Sequence, residues 1–333
     1  MRKSQLNTLA RGSGNIVFCM MDGRIKEHGS KPRVLVIVGA TCTGKTALAA
    51  AIARRMPVEI ISADSRQIYR LLDIGTAKPS KEILAKTPHH FIDILNPEEE
   101  YNAAKFGNDA RKTIAEIYSR DRLPIVAGGS GLYIRSLCDG LFKGPGKDEA
   151  IRRKLEFRII EEGAEVMLRE LRVVDPGATM TIETLHRRRL IHALETYYAT
   201  GIPLTQWQAH KIDIPFRPVF VGLRWERQEL YKMINARVDD MMRTGLMDEA
   251  MQLREKGYDD SLQSLNTPGY KELFAHLRGE ITLERAIILI KQHTRNYAKR
   301  QTTWFNGDER IRWIDMNESS VIENIAVEIG DTI

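Results

Sequence analysis

Residues 39–46 form a segment whose residue types and spacing suit phosphate binding. They read GATCTGKT and match the pattern G-x-x-x-x-G-K-[ST] in full. In such a loop the glycines let backbone N–H groups curl around phosphate oxygens, Lys45 adds a positive charge, and the Thr46 hydroxyl is suited to ligate Mg²⁺. We therefore predict a di- or triphosphate site made of Gly39, Ala40, Thr41, Cys42, Thr43, Gly44, Lys45 and Thr46.

Asp64 is a second candidate for chemistry, because it follows the apolar run 58–63. A carboxylate at the end of a buried strand, beside bound phosphates, can accept a proton from an attacking nucleophile or hold Mg²⁺. The alternative is structural, since Asp and Ser are favoured at the start of a helix and Ser65 comes next. The residues alone leave both interpretations open.

Basic residues cluster on three separate segments. Lys291, Arg295 and Lys299 are four residues apart and share one face of a predicted helix, and residues 152–154 and 187–189 are also basic. A solvated helix face is the alternative for the first cluster. Three clusters, with a net charge of +6, favour RNA binding.

Cysteine usage and hydropathy exclude several classes of protein. The three cysteines are scattered, without the spacing of a disulfide framework or a zinc site. No apolar run reaches the length of a membrane span. We therefore expect a cytoplasmic protein with no membrane partner.

The candidate residues need a sheet to bring them together. Apolar, β-branched runs predict buried strands at 34–38, 58–63, 91–95, 123–127 and 219–223, and helical patterns at 46–56 and 103–118 lie between some of them. This alternation predicts an α/β fold, a parallel sheet flanked by helices. Ligands of such sheets bind beyond the carboxyl ends of the strands, so the loop, Asp64 and the glycine-rich turn 128–131 should meet in one crevice.

Many phosphate-loop ATPases and GTPases use an acidic residue at the end of a buried strand to organise Mg²⁺. The glycine-rich turn 128–131 and the strand before it carry no such residue. Its glycines either admit a close backbone or base, or make a plain tight turn.

The remaining patterns divide the chain. Residues 1–30 are expected to be a flexible extension, and residues 146–212 a helical insertion with almost no strand signal. The phosphate-loop core is then formed by 31–145 and 213–320, with helices expected at 226–256, 269–277 and 282–305. Residues 321–333 are expected to be a C-terminal tail.

Seven segments, spread in order over roughly residues 33–315, are specific in combination. They are GATCTGKT, ISADSRQIYR (61–70), DIGTAKPS (73–80), HHFID (89–93), GGSGLYI (128–134), TPGYKEL (267–273) and TRNYAKRQTTWF (294–305). Together they resemble the tRNA dimethylallyltransferase family, also called isopentenyl-diphosphate:tRNA transferases. The resemblance implies a Mg²⁺-dependent transfer of a dimethylallyl group from dimethylallyl diphosphate to the exocyclic amine of the adenosine 3′-adjacent to the anticodon. It also implies that the insertion grips the tRNA anticodon stem-loop; we expect a monomer.

Site roles follow from the resemblance position by position. It implies that Thr41 touches the bridging oxygen of the donor, that Lys45 and Arg237 bind the diphosphate, and that Asp64 is the base. The implied tRNA contacts are Asp64, Ser65, Arg66, Gln67, Ser130, Arg189 and Leu190, to which the basic pattern adds Lys291, Arg295 and Lys299. The sequence departs from the family pattern at Ala40, Ser130 and Pro268 and in the stretch 183–188.

Three other functions use some of the same residues. An adenylate isopentenyltransferase would need neither the insertion nor the long basic helix. A metabolite kinase would share the loop, but the strand end without an acid argues against it. A nucleotide-gated RNA-binding protein without chemistry is disfavoured by Asp64 beside the loop.

Overall fold

The computed structural model describes residues 31–140, 148–180, 182–183, 186–209, 212–316 and 321–330. The expected N-terminal extension, residues 1–30, lies outside them. The chain divides into two compact units. Among the described residues, the first unit comprises those up to 100, those of 112–131 and those from 216 onward, and the second comprises those of 101–111 and 132–215.

The described part of the first unit contains a six-stranded sheet. Its strands are β1 Arg33–Gly39, β2 Val58–Ser62, β3 His89–His90, β4 Leu123–Gly128, β5 Arg217–Arg224 and β6 Arg312–Asp315. Their order across the sheet is β3-β2-β4-β1-β5-β6, and every neighbouring pair is parallel. The predicted α/β fold with a parallel sheet is therefore confirmed. The central strands β1 and β2 are buried almost along their whole length, as parallel strands covered on both faces must be.

The strand expected at 91–95 is the exception. Only His89 and His90 pair with β2, because Phe91 and Asp93 take left-handed backbone conformations with φ of 65° and 55°. Such conformations end an extended strand. Strand β6 was not expected from the sequence.

Helices make up most of the rest. They are α1 Lys45–Ala53, α2 Lys81–Lys86, α3 Ala103–Ser119, α4 Gly131–Cys138, α5 Glu149–Glu161, α6 Ala164–Val174, α7 Pro176–Thr179, α8 Arg187–Thr200, α9 Leu204–Ala209, α10 Arg227–Arg243, α11 Leu246–Glu255, α12 Tyr270–Leu277, α13 Leu283–Asn306 and α14 Val321–Gly330. The helical stretch expected at 226–256 is interrupted at Gly245, whose φ of 108° breaks it into α10 and α11. Among these helices none is both long and apolar enough to cross a membrane.

The core of the first unit includes a helix from the C-terminal part of the chain. Residues 321–333 are expected from the sequence to be a tail, whereas 321–330 form α14, which packs on α1 and the sheet. Its Ile325, Ala326 and Ile329 are buried with Leu48 and Ile52 of α1. The spacing of three and four residues puts these apolar side chains on one helix face, which explains why the helix docks.

The second unit is helical in its described part. Its core contains Leu155, Met167, Leu171, Leu190 and Leu194, contributed by α5, α6 and α8. It begins earlier than the predicted insertion, because residues 101–111 and all of α4 except its first residue also belong to it.

Candidate active site

The phosphate loop (residues 39–46) connects β1 to α1, as predicted. Gly39 is required at the end of β1: its φ is 146°, and a Cβ there would lie 2.5 Å from the carbonyl oxygen of Leu223. Gly44 precedes α1 with a φ of 97°. The first turn of α1 begins at Lys45, so the free N–H groups of a helix N-terminus face the loop.

Lys45 is held inside the loop that it serves. Its ammonium nitrogen donates to the carbonyl oxygen of Ala40 at 2.6 Å. Burial lowers the pKa of Lys45 to about 8, although the nearby Asp64 carboxylate opposes this shift. The adjacent Thr43 hydroxyl also donates to Ala40, at 2.9 Å, which fixes the shape of the loop.

Asp64 lies just beyond β2, where the sequence predicted it. One carboxylate oxygen accepts the backbone N–H of Arg66 at 2.8 Å, so the capping interaction that the sequence left open is present, in a turn. Capping uses only part of the carboxylate, because each carboxylate can accept several hydrogen bonds. Asp64 is half-buried and lines the same cavity as the phosphate loop.

Ser130 joins the glycine-rich turn to the Asp64 segment. Its hydroxyl oxygen accepts the backbone N–H of Ser65 at 2.9 Å. Gly128 packs so closely on the residue that follows β2 that a Cβ would lie 2.1 Å from the carbonyl oxygen of Ala63. Gly128 therefore serves close backbone approach, one of the two interpretations the sequence allowed.

The cavity has a volume of about 570 Å³ and lies within the first unit. The predicted residues that line it are Thr41, Cys42, Thr43, Gly44, Lys45, Thr46, Asp64, Ser65, Arg66, Gln67 and Arg237. Arg237, from the middle of α10, reaches the loop: its Nη1 atom lies 3.5 Å from Thr41 Oγ1 and 3.4 Å from Cys42 Sγ. The crevice expected from the ends of the strands is thus formed.

Helix α13 supplies cavity residues to which the sequence gave no role. Ile290, Thr294, Tyr297 and Gln301 all line the cavity. Their spacing of four, three and four residues places them on one helix face, and this was the signal available in the sequence. Burial, with a contribution from the Asp64 carboxylate, raises the pKa of Tyr297, so its phenol stays protonated.

Gln301 ties two parts of the site together. Its Oε1 accepts the backbone N–H of Thr41 at 2.8 Å, and its Nε2 donates to the carbonyl oxygen of Gly129 at 2.9 Å. The side chain is buried. It therefore fixes the distance between the phosphate loop and the glycine-rich turn.

We expect Gln301→Leu to lower the free energy of unfolding by roughly 2–4 kcal/mol, because it leaves the part-buried Thr41 N–H and the buried Gly129 carbonyl without partners. Urea unfolding measures the change. Gln292→Leu is the matched control, since Gln292 is on the same helix but exposed. Equal midpoints for the two variants would contradict this role for Gln301.

The three basic residues of α13 that were predicted to contact RNA do not line the cavity. Lys291 forms an ion pair with Asp239 at 2.6 Å, and Arg295 donates to Asn235 Oδ1 at 2.6 Å, so both side chains pack against α10. These contacts favour a structural role for the two, whereas Lys299 is exposed.

Two further predicted contacts fall on α8 of the second unit. Arg189 is exposed, but Leu190 is fully buried among the apolar residues of that unit. The RNA contact that the resemblance implied is therefore not available to the Leu190 side chain, because it points to the inward face of α8. Of the stretch 183–188, residues 184 and 185 lie outside the described residues.

Comparison with known proteins agrees with this geometry. A family model described as IPP transferase matches residues 67–308. The chain is 44% identical over 302 residues to tRNA dimethylallyltransferase 2 of Geotalea uraniireducens, covering 90% of this chain and 96% of that protein. It is 43% identical over 303 residues to tRNA dimethylallyltransferase of Desulforudis audaxviator, covering 91% and 98%.

Solved structures are similar as well. A full-length tRNA isopentenylpyrophosphate transferase from Bacillus halodurans superimposes with a TM-score of 0.67 at 38% identity, covering 90% of this chain and 96% of that one. A eukaryotic dimethylallyltransferase acting on tRNA gives a TM-score of 0.71 at 28% identity, covering 85% and 73%.

Proposed function

The chain belongs to the IPP transferase family and is a tRNA dimethylallyltransferase, and we propose the following substrates and roles for its site. The donor is dimethylallyl diphosphate, and the acceptor is the exocyclic amine of the adenosine 3′-adjacent to the anticodon in certain tRNAs. The products are the isopentenyladenosine and diphosphate. One observation carries the proposal: a phosphate loop, an arginine and a carboxylate open on one cavity.

The chemistry needs those three elements together. The amine nitrogen forms a bond to C1 of the prenyl group while the C1–O bond breaks, and diphosphate leaves with the electron pair. The loop N–H groups, Lys45 and Arg237 meet the negative charge that grows on the leaving group. Asp64 accepts the proton that the amine must lose.

The residues present also fit Mg²⁺. A magnesium ion keeps several waters and takes one or two protein oxygens beside substrate phosphates, so it needs no cage of carboxylates. Thr46 is exposed in the first turn of α1, and both Thr46 and Asp64 line the cavity. We propose that Thr46 holds the ion, whose chemistry would be to neutralise charge on the diphosphate.

On the RNA side, Arg66 and Arg300 add positive charge to the cavity wall, which suits a phosphate backbone entering beside Asp64. An adenine must leave its stack to reach the cavity, as bases do in enzymes that modify them. The monomeric state and the cytoplasmic location expected from the sequence remain predictions.

We expect Lys299→Gln to weaken binding to tRNA of any sequence and to flatten the slope of log affinity against log salt by roughly 0.7–0.9. Lys291→Gln is the matched control on the same helix face, and its slope should stay unchanged because Lys291 is already neutralised by Asp239. Filter binding at several salt concentrations measures both. Equal slopes for Lys299→Gln and the wild type would remove Lys299 from the RNA interface.

The function is tested by offering several acceptors. The protein is incubated with dimethylallyl diphosphate, Mg²⁺ and either unmodified tRNA or AMP, and separately with ATP and small acceptors; products are identified by mass. We expect prenylated tRNA alone. Prenylated AMP would favour an adenylate isopentenyltransferase, and a phosphorylated acceptor would favour a kinase.

A further inference from the structure

The cavity changes character along its length. On α13 its wall runs from Gln301 and Tyr297 through Thr294 to Ile290, a distance of about 16 Å along the helix axis at 1.5 Å per residue. At the polar end, Gln301 contacts the phosphate loop and Tyr297 lies near Asp64. The far end of this helix face is apolar, because it ends at Ile290, whose side chain is almost fully buried.

The facing helix α10 also becomes apolar in this direction, from Arg237 onward. Ile234, Arg237, Val238 and Met241 line the cavity at spacings of three, one and three residues, which is one helix face. Arg237 contacts the loop, and Met241 lies one turn further along, about 6 Å in the axial direction. Val238 is buried and Met241 is half-buried.

Two side-chain contacts fix the register between the helices. Arg295 bonds to Asn235, and Lys291 pairs with Asp239. The two helices are therefore antiparallel, and Ile290 comes level with the α10 turn that carries Met241. Both residues line the cavity, so they lie at the same end of it.

From this arrangement we propose that Met241, with Ile290, closes the apolar end of the cavity and limits the donor to a five-carbon prenyl group. The proposal rests on the proposed function, because it assigns the diphosphate to the loop and C1 to the neighbourhood of Asp64. The hydrocarbon part of the donor then occupies the wall made of Val238, Ile290 and Met241, since the polar positions lie towards Gln301.

The length of the prenyl group is limited at the Met241 end of the cavity for a steric reason. A ten-carbon donor such as geranyl diphosphate has the same diphosphate and the same allylic C1, so the loop and Asp64 treat it alike. Its second isoprene unit must extend past the first, into the space that the Met241 side chain fills. An unbranched thioether side chain fills such irregular space well, and shortening it opens room without removing any polar contact.

The test compares two donors in three proteins. Wild type, Met241→Ala and Met242→Ala are each assayed with unmodified tRNA and with dimethylallyl or geranyl diphosphate. The ratio of kcat/KM for the ten-carbon over the five-carbon donor should rise by at least about tenfold in Met241→Ala. Met242 is the matched control, because it is the next residue of the same helix and does not line the cavity.

Two outcomes overturn the proposal while leaving the proposed function intact: a ratio unchanged in Met241→Ala, or an equal rise in Met242→Ala, while the wild type transfers the five-carbon group. A wild type that transfers neither group would remove the proposed function and this proposal with it. If Met241→Ala does not fold, Met241→Trp gives the converse test. It should raise the KM for dimethylallyl diphosphate and leave inhibition by free diphosphate unchanged; an unaltered KM would overturn the proposal.

Discussion

Asp64→Asn is expected to lower kcat by about 100- to 10,000-fold while tRNA affinity stays nearly unchanged. The amine of adenosine is a weak nucleophile whose proton must leave as the new bond forms, and an amide cannot take that proton. Asparagine keeps the oxygen that accepts the Arg66 N–H, so the turn after β2 is preserved. The substitution therefore removes the proposed base function of residue 64 and keeps its hydrogen bond to the turn.

Single-turnover kinetics with saturating donor and tRNA measure the effect, and filter binding measures affinity. Asp64→Ala is the informative companion, because it removes both the base and the cap. If Asp64→Asn turned over at a near-normal rate while Asp64→Ala did not, Asp64 would be a structural cap only, and another group would have to accept the proton.

Arg237→Gln is expected to lower kcat/KM for the prenyl donor by about 100- to 1,000-fold. The substitution removes a positively charged group that would hydrogen-bond to the departing diphosphate. The guanidinium lies against Thr41 and Cys42 of the loop. Arg243→Gln is the matched control, since Arg243 is on the same helix but 80% exposed and paired with Asp240. Unchanged donor kinetics in Arg237→Gln would exclude Arg237 from the diphosphate site.

Lys45, the second cation proposed to bind the diphosphate, should make the use of the donor depend on pH. The pKa of Lys45 is lowered to about 8 by burial, so in the free enzyme its positive charge is present below that pH and is lost above it. Donor kcat/KM should therefore fall as pH rises through 8. In Lys45→Arg the guanidinium stays charged, so a fall that persisted unchanged in this variant would assign the titration to another group.

The sequence alone determined the local features of this protein. The glycine pattern of residues 39–46, the apolar run before Asp64 and the strand–helix alternation each depend on short stretches, whose backbone conformation follows from residue type and hydropathy. These predicted the parallel sheet and the meeting of loop and carboxylate at one edge, because parallel strands bring their carboxyl ends together. The resemblance supplied Arg237, which no local pattern marks.

Only the tertiary structure decided which face of each long helix meets the cavity. Lys291 and Arg295 have the spacing of an RNA-binding stripe, yet they pair with Asp239 and Asn235 of α10. The other face of α13 brings Tyr297 and Gln301 to the site. Helical periodicity states which residues share a face but not what that face contacts, since the partner lies dozens of residues away. For the same reason the sequence predicted a tail at 321–333. The apolar face of α14 is buried only because α1 and the sheet, which are distant in sequence, pack against it.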